Sequence, residues 1–330
     1  MSAGTVRRTV LLFNRDLRLH DHPALDAALT GADQVIPLFV FDEAILAGPF
    51  ASANRLAFLL ECVHDLRRSL RAAGGDLFID FGNPAAVAID WARRHAASVV
   101  VVSADVTRFA RRREQRLAEL GTAHGIAVAA HAGVTVVRPG SITPNDGDHY
   151  KVFTPYWRAW SRTPWRTPLG APARVPVPTT SRPGPIPTLG ALTTRSPSPS
   201  RVPGGETAGR GALEQFLRCG IDEYSDRRDD LAADATSHLS AYLHFGCVSP
   251  LEVATRCADA GEGGNDFVRQ LCWRDFHHQV TAAFPAIATR DYRLRQLHWR
   301  DDADALEAWR SGVTGIPIVD AGMRQLRAEG

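Results

Sequence analysis

Five short apolar runs, separated by helical patterns, occupy the first 130 residues of this chain and confine it to few folds. They are Thr9–Asn14, Val35–Phe41, Asp76–Phe81, Ser98–Ser103 and Ile126–Ala130. Val99–Val102 is four valines in succession, which suits a strand covered on both faces. Between the runs, Ser52–Leu70 carries Leu56, Leu59, Leu60, Val63 and Leu70 as one helical stripe. Asn83 is placed to cap a helix beginning at Pro84, and Arg108–His124 is an Arg-rich helix. Strands alternating with helices predict an α/β domain over residues 5–135, built on a five-stranded, doubly wound parallel sheet.

Proline then changes the organisation. Pro139–Pro203 holds 14 of the 21 prolines, which precludes long regular elements beyond a helix around Tyr156–Ser161. Residues 136–204 are therefore expected to be an interdomain linker wrapped on the surface. From Gly205 onward no strand pattern returns. Leu213, Phe216 and Leu217 open a helical pattern that caps at Ser249 and near Asn265 continue, so residues 205–330 read as an all-α domain. Ser249-Pro250-Leu251-Glu252 reads as N-cap, first-turn proline and capping-box glutamate. Gly74-Gly75 and Gly263-Gly264 read as turns.

Composition bounds the class without naming it. Hydrophobic content of 45% supports an ordinary core. The five cysteines (Cys62, Cys219, Cys247, Cys257, Cys272) show no Cys-x-x-Cys spacing and read as reduced thiols in a cytoplasmic protein. No signal peptide and no membrane-spanning run is read. Net charge is only +2, yet Arg138–Pro203 holds nine basic residues against Asp146 and Asp148. That surplus suits either a phosphate-facing surface or a solvated linker. His20-Asp21-His22 lacks a third ligand nearby, so no metal is expected; the loop is expected to lock the first crossover of the sheet. Arg111-Arg112-Arg113 reads as a solvated helix face. Trp91, Trp157, Trp160, Trp165 and Trp309 read as packing residues.

Two segments carry chemistry. In Gln270–His278 (QLCWRDFHH), Gln270, Trp273, Arg274 and His277 recur at i, i+3, i+4 and i+7 and share one helix face. Val268, Leu271 and Cys272 point elsewhere. An aromatic plane, a fixed cation and an amide on one face suit a flat ligand with polar edges. A helix with one buried Trp and a surface Arg shows the same spacing. In Thr236–Pro250 (TSHLSAYLHFGCVSP), the hydroxyls of Thr236, Ser237 and Ser240 sit beside backbone N–H groups and can hold phosphate oxygens without a lysine.

Five motifs in order make the chain resemble the DNA photolyase/cryptochrome family, most of all the bacterial class I cyclobutane pyrimidine dimer photolyases. They are Phe13–Leu25 (FNRDLRLHDHPAL), Tyr150–Trp160 (YKVFTPYWRAW), Thr236–Pro250, Gln270–His278 and Gly315–Leu326 (GIPIVDAGMRQL). The resemblance covers nearly the whole chain apart from Arg166–Arg201. It implies FAD in the helical domain and light-driven repair, in which one electron passes to a pyrimidine dimer, the cyclobutane ring splits and the electron returns. It also implies extrusion of the lesion from the base stack of damaged DNA. A folate (methenyltetrahydrofolate) or 8-hydroxy-deazaflavin antenna in the sheet domain is a further expectation, with nothing selecting between them. A monomer is expected.

Carried over by motif, the resemblance implies that Tyr224, Thr236, Ser237, His238, Leu239 and Ser240 hold the FAD phosphates and ribityl chain, and that Arg274 lies along the flavin. Arg228 would meet a DNA phosphate. Gln270, Trp273 and His277 would form the lesion side, with Trp273 stacking on the dimer. Trp299 matches the outermost tryptophan of the chain that photoreduces the flavin.

Three positions depart from the family pattern. His238 stands where an Arg is usual, Phe267 where a Trp is usual, and Gln270 where dimer photolyases carry Glu. Gln at this position is more typical of (6-4) photolyases and animal-type cryptochromes, and an amide donates as well as accepts. Family members also continue beyond the motif that ends here at Glu329-Gly330, so the helical domain is expected to be incomplete. The 330-residue chain is then expected to bind FAD poorly and not to repair DNA. A cryptochrome-type blue-light photoreceptor, a (6-4) photolyase and a non-catalytic remnant are the alternative expectations.

Overall fold

The computed structural model describes residues 6–179, 181–293 and 297–330. Residue 5, where the first domain was expected to begin, lies outside the described residues. Strands β1 (Arg8–Phe13), β2 (Gln34–Asp42), β3 (Phe78–Gly82), β4 (Val99–Ser103) and β5 (Ala127–His131) form one parallel sheet in the order β3-β2-β1-β4-β5. The helices of this region are α1 (Pro23–Gly31), α2 (Glu43–Leu46), α3 (Ala53–Ala72), α4 (Pro84–Arg94) and α5 (Arg108–His124). Asn83 caps α4 by accepting from Ala85 and Ala86 N–H, and Gly125 ends α5 at φ +68°.

Strand alternation divides the core. Val10, Leu12, Ile36, Leu38, Val100 and Val102 pack against α4 and α5. Leu11, Phe13, Val35, Phe39 and Val101 face α1 and α3, in a core that runs on into the helical half. That half contains α6 (Phe153–Trp160), α7 (Leu189–Leu192), α8 (Glu206–Cys219), α9 (Tyr224–Arg227), α10 (Ser240–Phe245), α11 (Pro250–Ala258), α12 (Gly261–Ala283), a 3-10 turn at Pro285–Ala288, α13 (Ala303–Ser311) and α14 (Pro317–Glu329). Helices α13 and α14 pack on each other, and no side chain of either is buried. No helix among the described residues is long and apolar enough to cross a membrane.

Several local expectations are corrected by packing. Gly263 and Gly264 lie inside α12, not in a turn. A Cβ on Gly263 would stand 1.8 Å from the Ile221 carbonyl oxygen, so the pair of glycines lets α12 approach its neighbours closely. Asn265 is consequently a helix-interior residue. Ser249 does cap α11, but Glu252 turns away from the cap to pair with Arg210 (2.5 Å). The proline-rich segment is not confined to the surface, because Phe153, Tyr156, Trp160 and Val175 are buried in the shared core. Trp309 is 48% exposed and is no packing residue. Arg113 is half-buried; desolvation lowers its pKa against the pull of Asp105 and Asp16.

The loop Asn14–His22 locks the two halves together, which is more than a sheet crossover. The buried Arg18 guanidinium donates to the carbonyls of His20 (3.0 Å), Asp21 (2.9 Å), Gly133 (2.9 Å) and Gly246 (3.1 Å). Glu206 of α8 accepts from the N–H groups of Leu19 (2.7 Å) and His20 (2.9 Å) and meets His20 Nδ1 at 2.8 Å. Asp21 pairs with Arg166 and accepts from Ser249 Oγ. His22 pairs internally with Asp16 at 3.2 Å. Among the described residues, no group of three or more His, Cys, Asp or Glu is placed to hold a metal ion. The free thiols of Cys62 and Cys247 meet at 3.3 Å across the same seam.

Candidate functional site

A cleft of about 780 Å³ opens between the loop leading into α10 and the exposed side of α12. Thr236, Ser237, His238, Leu239 and Ser240 form one wall, with Tyr224 and Phe267 beside them. His238 adopts φ +52° and Asp234 φ +47°, and His238 Nε2 meets Asp234 Oδ1 at 3.0 Å. This left-handed kink brings three hydroxyl residues to one edge of the cleft. Ser237 Oγ accepts from Leu239 N–H at 3.4 Å. Tyr224 is buried, edge-on to Phe216 and Phe267, so its ring is fixed by packing.

Helix α12 supplies the opposite wall through Gln270, Arg274, His277, His278 and Thr281. Arg274 Nη1 donates to the Val134 carbonyl at 2.6 Å. Burial pushes its pKa down to about 10, so it remains a cation at neutral pH. His278 Nδ1 meets the Arg274 carbonyl at 2.9 Å. Burial, with Arg274 nearby, pushes His278 down to about 4, and burial with Arg15 does the same to His244. Both imidazoles are neutral at pH 7.

The sheet half contributes a third wall, Arg15, Val106 and Thr107, which the sequence did not single out. These residues follow β1 and β4, the neighbouring strands between which the strand order reverses, where α/β sheets commonly hold ligands. Arg15 Nε lies 3.5 Å from Asp105. Burial would raise the Asp105 pKa, but Arg15 and the Thr107 N–H hold it below its ordinary value. Among the described lining residues, Glu329 is the single side-chain carboxylate, against the guanidinium groups of Arg15 and Arg274. The cleft therefore favours an anionic ligand.

Trp273 separates from the other three members of its helix face. Its indole lies flat on the Phe153 ring of α6, 3.7 Å between centroids at 6°, and does not line the cleft. Phe276 meets it edge-on, and it is 37% exposed. Arg228 is also outside the cleft, bound to Asp266 at 2.9 Å with Asp229 at 3.9 Å. Trp299 is 85% exposed, in a segment that is neither helix nor strand, and does not line this cleft.

Two functional supports escaped the sequence reading. Asp275 is fully buried and accepts from Val136 N–H (3.3 Å), Val137 N–H (2.8 Å) and Trp160 Nε1 (3.0 Å). Gln279 pairs with both backbone groups of Tyr150, at 3.0 Å and 2.7 Å. Together they dock α12 on the connector and set the angle of its polar face. The available signal was a carboxylate and an amide standing on the Leu271, Cys272 and Phe276 side of the helix.

Comparison with known proteins agrees with this architecture. The family model for DNA photolyase matches residues 9–178, and that for the FAD binding domain of DNA photolyase matches residues 267–330. A deoxyribodipyrimidine photo-lyase from Streptomyces griseus is 46% identical over 324 residues, covering 97% of this chain and 71% of the relative. A cryptochrome DASH from Natronomonas pharaonis is 33% identical, covering 97% and 72%. Among solved structures, a bacterial class III photolyase from Agrobacterium tumefaciens superposes with TM-score 0.89 at 27% identity, covering 100% of this chain and 71% of its own. The cryptochrome from Synechocystis superposes with TM-score 0.90 at 26% identity, covering 98% and 72%.

Proposed function

The chain belongs to the DNA photolyase family, and from that premise we propose that it is a deoxyribodipyrimidine photolyase, splitting pyrimidine dimers in damaged DNA under blue light. The observation that carries the proposal is the cleft: hydroxyls on one wall, the half-buried Arg274 cation on the other, and a single side-chain carboxylate among its described lining residues. That donor set fits FAD, whose pyrophosphate needs N–H and O–H donors and whose ring needs a fixed cation alongside. Thr236 and Ser240 hydroxyls make no hydrogen bond to another described residue, so both remain available to phosphate or ribityl oxygens. Tyr224, Ser237, His238 and Leu239 complete that wall, and Arg274 supplies the cation.

FAD bound there supplies a light-absorbing one-electron donor. The chain's own residues orient and exclude. Val134 and the buried Asp275 hold Arg274 in place. Neutral His244 and His278 keep further positive charge out of the cleft. At the lesion side, Gln270 offers both a donor and an acceptor to base carbonyl and imino groups, with His277 next to it. Trp273 is stacked on Phe153, with the His277 ring 5.9 Å away at 27°, and is proposed to meet a base through the part of its indole that remains exposed. Trp299, exposed at the surface, is proposed as the outer electron-transfer residue.

The proposed organisation is a sheet domain over 5–135, a connector over 136–204 and a helical FAD-binding domain over 205–330, acting as a monomer in the cytoplasm. The test is direct. The chain is loaded with FAD, mixed with an oligonucleotide carrying one thymine dimer and illuminated with blue light; restored thymines are counted. Light-dependent restoration would establish the repair activity against the sequence expectation of poor FAD binding, and none would reject it. A second reading, a cryptochrome-type photoreceptor, is favoured by the amide at Gln270 and the cryptochrome DASH relative. Flavin photoreduction without restored thymines would support it.

A further inference from the structure

Arg228 and Arg269 are both cations near α12, and they are committed differently. Arg228 is held by Asp266 at 2.9 Å and neighboured by Asp229. Reaching a phosphate would require it to leave a carboxylate. Arg269 is exposed, and no carboxylate among the described residues lies within ion-pair distance of it. Its guanidinium carbon sits over the Phe153 ring, 5.8 Å from the centroid. Phe153 is in turn buried, flat against Trp273 and edge-on to Phe276. The cation is thus seated on the same aromatic pair that presents the proposed lesion platform, one residue before Gln270. A guanidinium held on an aromatic face keeps its N–H fork outward and loses little rotamer entropy on binding.

We propose that Arg269 is a phosphate-binding residue of the DNA site, taking the contact that the family resemblance assigns to Arg228. The inference rests on the reading of Trp273 and Gln270 as the lesion side. The phosphate contact fixes the strand beside Trp273 and carries no sequence information. Charge, not hydrogen-bond pattern alone, is what Arg269 contributes, so Lys retains part of the effect.

The experiment measures binding of a short duplex with one thymine dimer, and of the same duplex undamaged, from about 50 to about 200 mM salt. Arg269→Gln is expected to reduce the slope of log affinity against log salt by about 1 on both duplexes, and Arg269→Lys by less. Arg228→Gln is expected to leave the slope near wild type. An unchanged slope in Arg269→Gln, or a loss confined to Arg228→Gln, overturns the assignment. Wild-type protein that binds both duplexes equally rejects the lesion reading, while the slopes still decide Arg269. Wild-type protein that binds neither duplex overturns both.

Discussion

Trp160 donates its indole N–H to the Asp275 carboxylate at 3.0 Å, so the connector and α12 share one buried charge. Burial pushes the Asp275 pKa up to about 6, against the restraining Val137 N–H and Arg274. A folded-state pKa above the ordinary 3.8 means the folded chain binds more protons between those values. Its stability contribution is full below about 3.8 and is lost as pH rises through about 6. Asp275→Asn should abolish this component, because the amide does not titrate. Urea unfolding from pH 4 to pH 7, wild type minus variant, isolates it from the opposing histidines His244 and His278. The variant itself should cost about 1–3 kcal/mol, since the amide N–H₂ opposes a donor. Identical pH slopes would show that Asp275 does not titrate in this window.

Trp273→Ala should weaken binding to dimer-containing DNA far more than to undamaged DNA. Base stacking on an aromatic face is worth about 1–3 kcal/mol, or roughly fivefold to 150-fold in affinity. Equal losses on the two duplexes would remove Trp273 from the lesion side and leave it as the packing partner of Phe153.

Gly246→Ala should destabilise the chain strongly. Gly246 ends α10 at φ +70°, where an L side chain is strained by about 1–2 kcal/mol. An added Cβ would also stand 2.1 Å from the Arg15 carbonyl oxygen. Loss of more than about 3 kcal/mol in chemical unfolding is expected, with reduced FAD retention because Arg15 lines the cleft. A wild-type unfolding midpoint would mean that the seam between the halves is looser than its geometry.

Arg18→Met should cost about 3–5 kcal/mol despite keeping much of the side-chain volume. It would leave the carbonyls of Gly133 and Gly246 without their buried donor. Unfolding of both halves at a lowered, common midpoint is expected. A loss below about 1 kcal/mol would mean that water replaces the guanidinium.

The strands and most helices were legible because their signals are local. Val99–Val102 is a buried strand in any parallel sheet, and Asn83-Pro84 starts a helix by its own chemistry. Helical spacing likewise placed Gln270, Arg274 and His277 on one wall. Gly263-Gly264 was misjudged because a close approach to the Ile221 carbonyl, not a turn, uses those glycines. Arg228 and Trp273 were assigned contacts by motif, and each meets a neighbour that spacing could not supply: Asp266 for one, Phe153 for the other.

By itself, then, the sequence determined the α/β half, the helical half and the hydroxyl loop that faces α12. These follow from periodicity, caps and short-range donors. Only the tertiary structure decided which cations are paired with carboxylates, which aromatic rings stack on one another, and that Arg15 and Asp275 belong to the site. Those properties depend on groups more than 100 residues apart, such as Asp275 and Val137, brought together by burial of a common core.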